Sequence, residues 1–151
     1  MTDPIIRFAT IDDCQSIYDL ILELAIYEKA EDQVKISVED LKKDGFGDKP
    51  LFECIVAEIS GKVIGFALFF TNYSTWKGPC LYLEDFAVFP EYRGKGVGKA
   101  IFNKLLDLAK KRKVGRFAWQ VLDWNTSAIE FYNGYKADLD EAWVNCRINF
   151  K

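Results

Sequence analysis

Residues 81–111 read LYLEDFAVFPEYRGKGVGKAIFNKLLDLAKK. The first ten are largely apolar and aromatic and are closed by Pro90, which is the signature of a strand. From Tyr92 to Ala100 the chain packs in Gly94, Gly96 and Gly98 together with Arg93, Lys95 and Lys99. Beyond that turn Val97, Ile101, Leu105 and Leu108 recur at helical spacing. A strand that enters a helix through a glycine turn offers an anion free backbone N–H groups and the positive end of the helix dipole. Glycines allow close approach of the backbone, and the three cations add charge. The same turn also fits a plain connector with solvated lysines.

Spacing separates this turn from two common phosphate loops. The nucleotide-triphosphate loop needs glycine where Arg93 stands and a hydroxyl where Ala100 stands. The dinucleotide fingerprint follows a first strand and spaces its glycines differently. What remains is Arg-x-x-Gly-x-Gly, with Arg93, Gly96 and Gly98 as its fixed positions.

Working outward, PIIRFA predicts a first strand, and DDCQSIYDLILELAIYEKA a helix whose face is Cys14, Ile17, Ile21 and Leu24, capped by Asp12 or Asp13. SVEDLKKDG predicts a short helix from Ser37 to a stop at Gly45. FECIVAEISGKVIGFALFFTNY predicts a hairpin turning at Ser60-Gly61. After the glycine turn and its helix, GRFAWQVL predicts another strand, NTSAIEFYNG a short helix capped by Asn125, and AWVNCRINF a last strand. The helix between LYLEDFAVFP and GRFAWQVL implies a parallel crossover, and the earlier meander implies antiparallel pairing. The expected class is therefore α/β (α+β), one domain over residues 1–151, with a mixed sheet and helices on both faces.

Composition narrows the chemistry. With 151 residues, 50% hydrophobic and 28% charged, the chain fits a globular domain. A net charge of -3 does not favour nucleic-acid binding. No apolar run reaches the ~20 residues of a membrane span, and the N-terminus lacks a basic, then apolar, leader, so a cytoplasmic location is expected. Histidine is absent, which removes Ser-His and Cys-His pairs and histidine-based metal sites. Cys14, Cys54, Cys80 and Cys146 show no paired spacing and are expected to be buried free thiols, and no metal site is expected. Acid–base chemistry must then use Asp, Glu, Tyr, Lys, Cys or water.

The Arg93–Gly98 motif in its strand–turn–helix context resembles the acetyl-CoA pyrophosphate loop of the GNAT acetyltransferases. Asp13-Cys14, ELAIYE at 23–28, DGFG at 44–47, LYLEDFAV at 81–88, YRGKGVG at 92–98, Trp124-Asn125 and Phe131-Tyr132 resemble the spermidine/spermine N-acetyltransferase branch, which includes the thialysine acetyltransferases. The likeness spans roughly residues 5 to 145. Two departures stand out: Lys136 replaces a usual glycine, and the loop up to Trp143 is shorter than in the polyamine enzymes.

The resemblance implies a GNAT fold with about six or seven mostly antiparallel strands, an acetyl-CoA donor, a homodimer and a small cationic amine as acceptor. It places the donor against Phe86, Ala87, Val88, Arg93, Gly94, Lys95, Gly96, Val97, Gly98, Lys99, Asn125, Thr126, Ser127, Ala128 and Tyr132. The amine must lose a proton from a group that titrates near about 10, and the departing thiolate must gain one. A phenol suits the second need, and the resemblance gives it to Tyr132; on residue pattern alone Tyr132 fits a core aromatic equally well. Glu84 and Asp85 fall on opposite faces of a strand, so one of them faces a given cleft wall. The resemblance assigns Glu84 to the amine, with Tyr27, Glu28 and Glu141 as further substrate contacts. Catalysis by direct attack in a ternary complex follows. The alternatives are a GNAT acting on a protein N-terminus or lysine, one acting on an aminoglycoside, and a non-catalytic CoA-binding module.

Overall fold

A computed structural model describes residues 2–151. The elements are β1 (Ile5–Phe8), α1 (Cys14–Tyr27), α2 (Val38–Phe46), β2 (Glu53–Ile59), β3 (Lys62–Ser74), β4 (Gly78–Val88), α3 (Val97–Arg112), β5 (Phe117–Trp119) and α4 (Thr126–Asn133). The sheet runs β1-β2-β3-β4-β5 in order. Its neighbours are antiparallel except β4 and β5, which are parallel and joined by α3. Contacts divide the chain into two units, Met1–Gln120, which holds the whole sheet, and Val121–Lys151.

Local chemistry sets most of these boundaries. Ser60 and Gly61 both adopt positive φ, 51° and 79°, and turn β2 tightly into β3. Ser37 caps α2 by accepting from the Asp40 N–H at 3.1 Å, and the Asp40 carboxylate returns the contact to the Ser37 N–H. Thr10 and Asp13 make the equivalent box ahead of α1. Helices cover both faces of the sheet, as the neighbours Gly65 and Phe66 of β3 demonstrate. Phe66 packs in the cluster of Cys14, Ile17, Leu20 and Ile21 from α1. A Cβ on Gly65 would meet Ile101 of α3 at 3.0 Å. On the α3 face Phe102 stacks with Phe86, Phe117 and Trp119 at centroid distances of 5.9, 5.5 and 5.2 Å.

Three expectations need correction. Gly45 does not stop α2, which continues to Phe46; the Phe52 ring lies where a Gly45 side chain would be. The segment 142–150 is not a strand, so the sheet has five strands among the described residues instead of six or seven. Its alternation of apolar and polar residues specifies two faces but not a neighbour, and a ladder needs one. Trp143, Val144, Ile148 and Phe150 are accordingly exposed. Cys14, Cys54 and Cys80 are buried free thiols as expected, but Cys146 in that same segment is exposed.

Candidate active site

The site is built around the end of β4. The β3–β4 register slips between Leu68↔Asp85 and Phe69↔Leu83, which leaves Glu84 as the extra residue of a bulge. β5 accompanies β4 only across Leu81–Leu83. From the bulge onward, no strand among residues 2–120 pairs with that edge of β4. Phe89 donates its N–H to the Ile64 carbonyl at 2.9 Å, which fixes the parity of the strand. Of the three β4 residues set against the donor, Phe86 and Val88 therefore turn their amides to the open edge, and Ala87 directs its amide at β3.

The glycine turn begins five residues later and is tied to the same strand. Arg93 donates from Nε to the Val88 carbonyl at 2.9 Å, and its guanidinium lies 5.3 Å from the centre of the Tyr27 ring. Tyr27, expected as a substrate contact, thus also braces the turn from the end of α1. Gly94 and Gly96 adopt φ of 73° and 84°, a region L side chains rarely enter, and nothing lies within 4 Å of a Cβ built on either. The first α3 amide with a helical acceptor is that of Ala100, bonded to the Gly96 carbonyl at 3.0 Å. The amides of Val97, Gly98 and Lys99 precede it at the positive end of a 16-residue helix.

Carboxylates gather beside this strand end. Glu84 is exposed, Asp85 half-buried, and Glu28 half-buried at the C-terminal cap of α1. Burial, then Glu84, then Glu28 push the Asp85 carboxyl up to about 6. Burial also raises Glu28. No cation forms an ion pair with Asp85 among the described residues. Cations are drawn to such a cluster, and Asp85 can take up a proton near neutral pH.

The remaining candidates lie in Val121–Lys151. Asn125 caps α4 by accepting from the Ala128 N–H at 3.3 Å, and the Ser127 hydroxyl donates to the same Asn125 oxygen at 3.3 Å. Thr126 and Ser127 are exposed at the helix start. Tyr132 is buried, with its ring edge-on to Phe131 at 5.5 Å. Glu141 is exposed and outside any helix or strand.

Residues 14–135 match the acetyltransferase (GNAT) family. The chain belongs to that family. Among curated relatives, the thialysine N-epsilon-acetyltransferase of Bos taurus is 47% identical over 146 residues, covering 91% of this chain and 86% of its own. That of Sus scrofa is 45% identical over 151 residues, covering 94% and 89%. An integron cassette protein of V. cholerae superposes with a TM-score of 0.79 at 24% identity, covering 99% of this chain and 94% of its own, a likeness of fold. This GNAT chain is an acetyl-transferring enzyme. The family's acetyl donor is acetyl-CoA, and the turn suits its phosphates: the space above Gly94 and Gly96 is open, three amides lead α3, and Arg93, Lys95 and Lys99 are exposed.

Sequence reasoning missed Asp85 as a titrating partner of this GNAT site. Alternation singled out one carboxylate of the Glu84-Asp85 pair for the cleft, whereas Glu28 from α1 and Glu84 from the bulge both act on Asp85. The adjacent acids were visible, but the approach of Glu28, 57 positions earlier in the chain, was not.

Proposed function

We propose that this chain acetylates a primary amine on a small substrate that carries a second positive group, such as a diamine, a polyamine or a thialysine-like amino acid. The observation that carries the proposal is the run of uncompensated carboxylates, Glu28, Glu84 and Asp85, beside the strand end that also anchors the Arg93 turn. Like charges held close raise one another's proton affinity, and a bound dication relieves them. The names of the curated relatives support an amine of this class.

In this reading Phe86, Val88, Arg93, Gly94, Lys95, Gly96, Val97, Gly98 and Lys99 hold acetyl-CoA, Ala87 backs it from the ladder, and Asn125, Thr126, Ser127 and Ala128 are assigned to it as well. Bound there, it supplies an activated acetyl thioester. The Val88 N–H, on the open edge of β4, donates to the carbonyl oxygen as charge develops on it. Glu84, directly or through water, accepts the proton of the amine, and Asp85 adds a second acceptor. Tyr132 donates from its phenol to the leaving sulfur. Tyr27, Glu28 and Glu141 face the distal charge of the substrate. Attack is direct, within a ternary complex. We further infer a single functional domain over residues 1–151, a homodimer and a cytoplasmic location. Among the described residues no helix is long and apolar enough to cross a membrane.

The shorter loop before Trp143 favours small diamines and thialysine-like acids over long polyamines. The test is kcat/KM for spermidine, 1,3-diaminopropane, lysine and thialysine beside a monoamine without a second charge. The account expects the short dications to lead. Preference for the monoamine or for a peptide N-terminus would overturn it.

A further inference from the structure

Two lysines from distant segments meet on one ring beside the glycine turn. Lys62 opens β3 after the Ser60-Gly61 turn, and Lys95 lies within the glycine turn itself. Tyr92 separates them. Lys62 Nζ lies 5.8 Å and Lys95 Nζ 5.9 Å from the centre of its ring, and Lys62 is also 5.7 Å from the Phe89 ring. Neither ammonium ion-pairs with a carboxylate among the described residues. Arg93 follows Tyr92 directly, and its Nε is committed to the Val88 carbonyl. Two point charges are thus gathered about one aromatic ring with no acidic partner among the described residues, a cost that cation–π attraction offsets only in part.

We propose that Lys62 and Lys95, spaced by Tyr92, bind the phosphate monoester on the ribose of CoA. This rests on the assignment of the donor to the Arg93 turn. CoA carries two anionic groups, a diphosphate and a ribose 3′-phosphate. The amides of Val97, Gly98 and Lys99 and the open space over Gly94 and Gly96 suit the first. A monoester is close to a dianion at neutral pH, its second proton leaving near pH ~6, and two ammonium point charges balance it. Lys62 belongs to the β2–β3 hairpin, outside the turn whose amides suit the first group. It is exposed and opens a strand, so its loss leaves the core intact.

The experiment is calorimetric binding of CoA and of dephospho-CoA, which lacks only the 3′-phosphate, to the wild-type chain, Lys62→Met, Lys95→Met and Lys62→Arg. The wild type should prefer CoA by at least about tenfold, 1.4 kcal/mol. Lys62→Met should reduce that preference several-fold and leave dephospho-CoA affinity within twofold, Lys95→Met should also reduce the preference several-fold, and Lys62→Arg should keep most of it. An equal loss for both ligands in Lys62→Met would overturn the inference, because the lysine would then serve the diphosphate or the fold. An unchanged preference would overturn it too. Failure of the wild type to bind either ligand would instead overturn the assignment of the turn, and this inference with it.

Discussion

Two clusters of charge in the first unit are built on opposite plans. At the start of the chain Arg7 joins β1 to α1 and β2: it meets Asp13 through both oxygens at 2.8 and 3.0 Å, and Glu58 at 2.9 Å. Asp13 also accepts from the Thr10 N–H at 2.7 Å. Its carboxyl is held below the ordinary range, first by the bond from Arg7, against the opposing effect of burial. At the end of β4, Glu28 and Glu84 act on Asp85 with no cation paired to it among the described residues, and burial first, then these two acids, push Asp85 the other way. The first cluster is complete within the chain and serves the fold. The second lacks a positive partner among the described residues, which the proposed cationic substrate would supply. Charge satisfaction, and not charge density, separates the two roles.

The largest expected effect removes no charge at all. Tyr132→Phe deletes one hydroxyl and keeps the ring, and turnover should fall by about 10²–10⁴, with CoA affinity and melting temperature nearly unchanged. Turnover within threefold of wild type in steady-state assays would take the acid role from Tyr132. Next, Gly96→Asp forces a carboxylate and a strained φ of 84° into the turn. Affinity for CoA should drop at least about tenfold, and calorimetry on the folded variant reads it.

Breaking the satisfied cluster should have the reverse signature. Asp13→Ala strips Arg7 and Thr10 of a charged acceptor, which costs on the order of 2 kcal/mol. The midpoint of denaturant unfolding should fall, and kcat/KM per folded molecule should not. Because the folded carboxyl of Asp13 titrates below its ordinary 3.8, the stabilisation is whole above that value and fades as acid carries the pH through the folded value. The smallest effect belongs to Asp85. Its folded value of about 6 stands above the ordinary 3.8, so its penalty is absent below 3.8, grows between the two and is complete above about 6. Asp85→Asn should therefore raise the melting temperature more at pH 7.5 than at pH 4.5. An equal gain at both values would remove the account of an Asp85 carboxyl raised by burial and its acidic neighbours.

Much of this layout was legible along the chain because it is local. Ser37 and Asn125 cap their helices, Ser60-Gly61 turns the hairpin, and the 81–111 run gives strand, turn and helix in order. What escaped depends on partners far away in sequence. Gly45 looked like a helix stop because no neighbour announces the Phe52 ring. The 142–150 segment has the alternation of a strand, but pairing is a property of two segments. The bulge that sets Glu84 apart comes from the β3–β4 register, and the shift of Asp85 needs α1 folded back against β4.

Glu28→Gln tests the contrast between satisfied and unsatisfied charge most directly, since it keeps shape and removes from the open cluster the acid assigned to the distal charge of the substrate. The measurement is kcat/KM for 1,3-diaminopropane and for a monoamine without a second charge, with CoA affinity measured alongside. The account predicts a loss of at least about tenfold for the diamine, a smaller loss for the monoamine and CoA binding within twofold of wild type. Equal losses on both amines, or none on either, would contradict it.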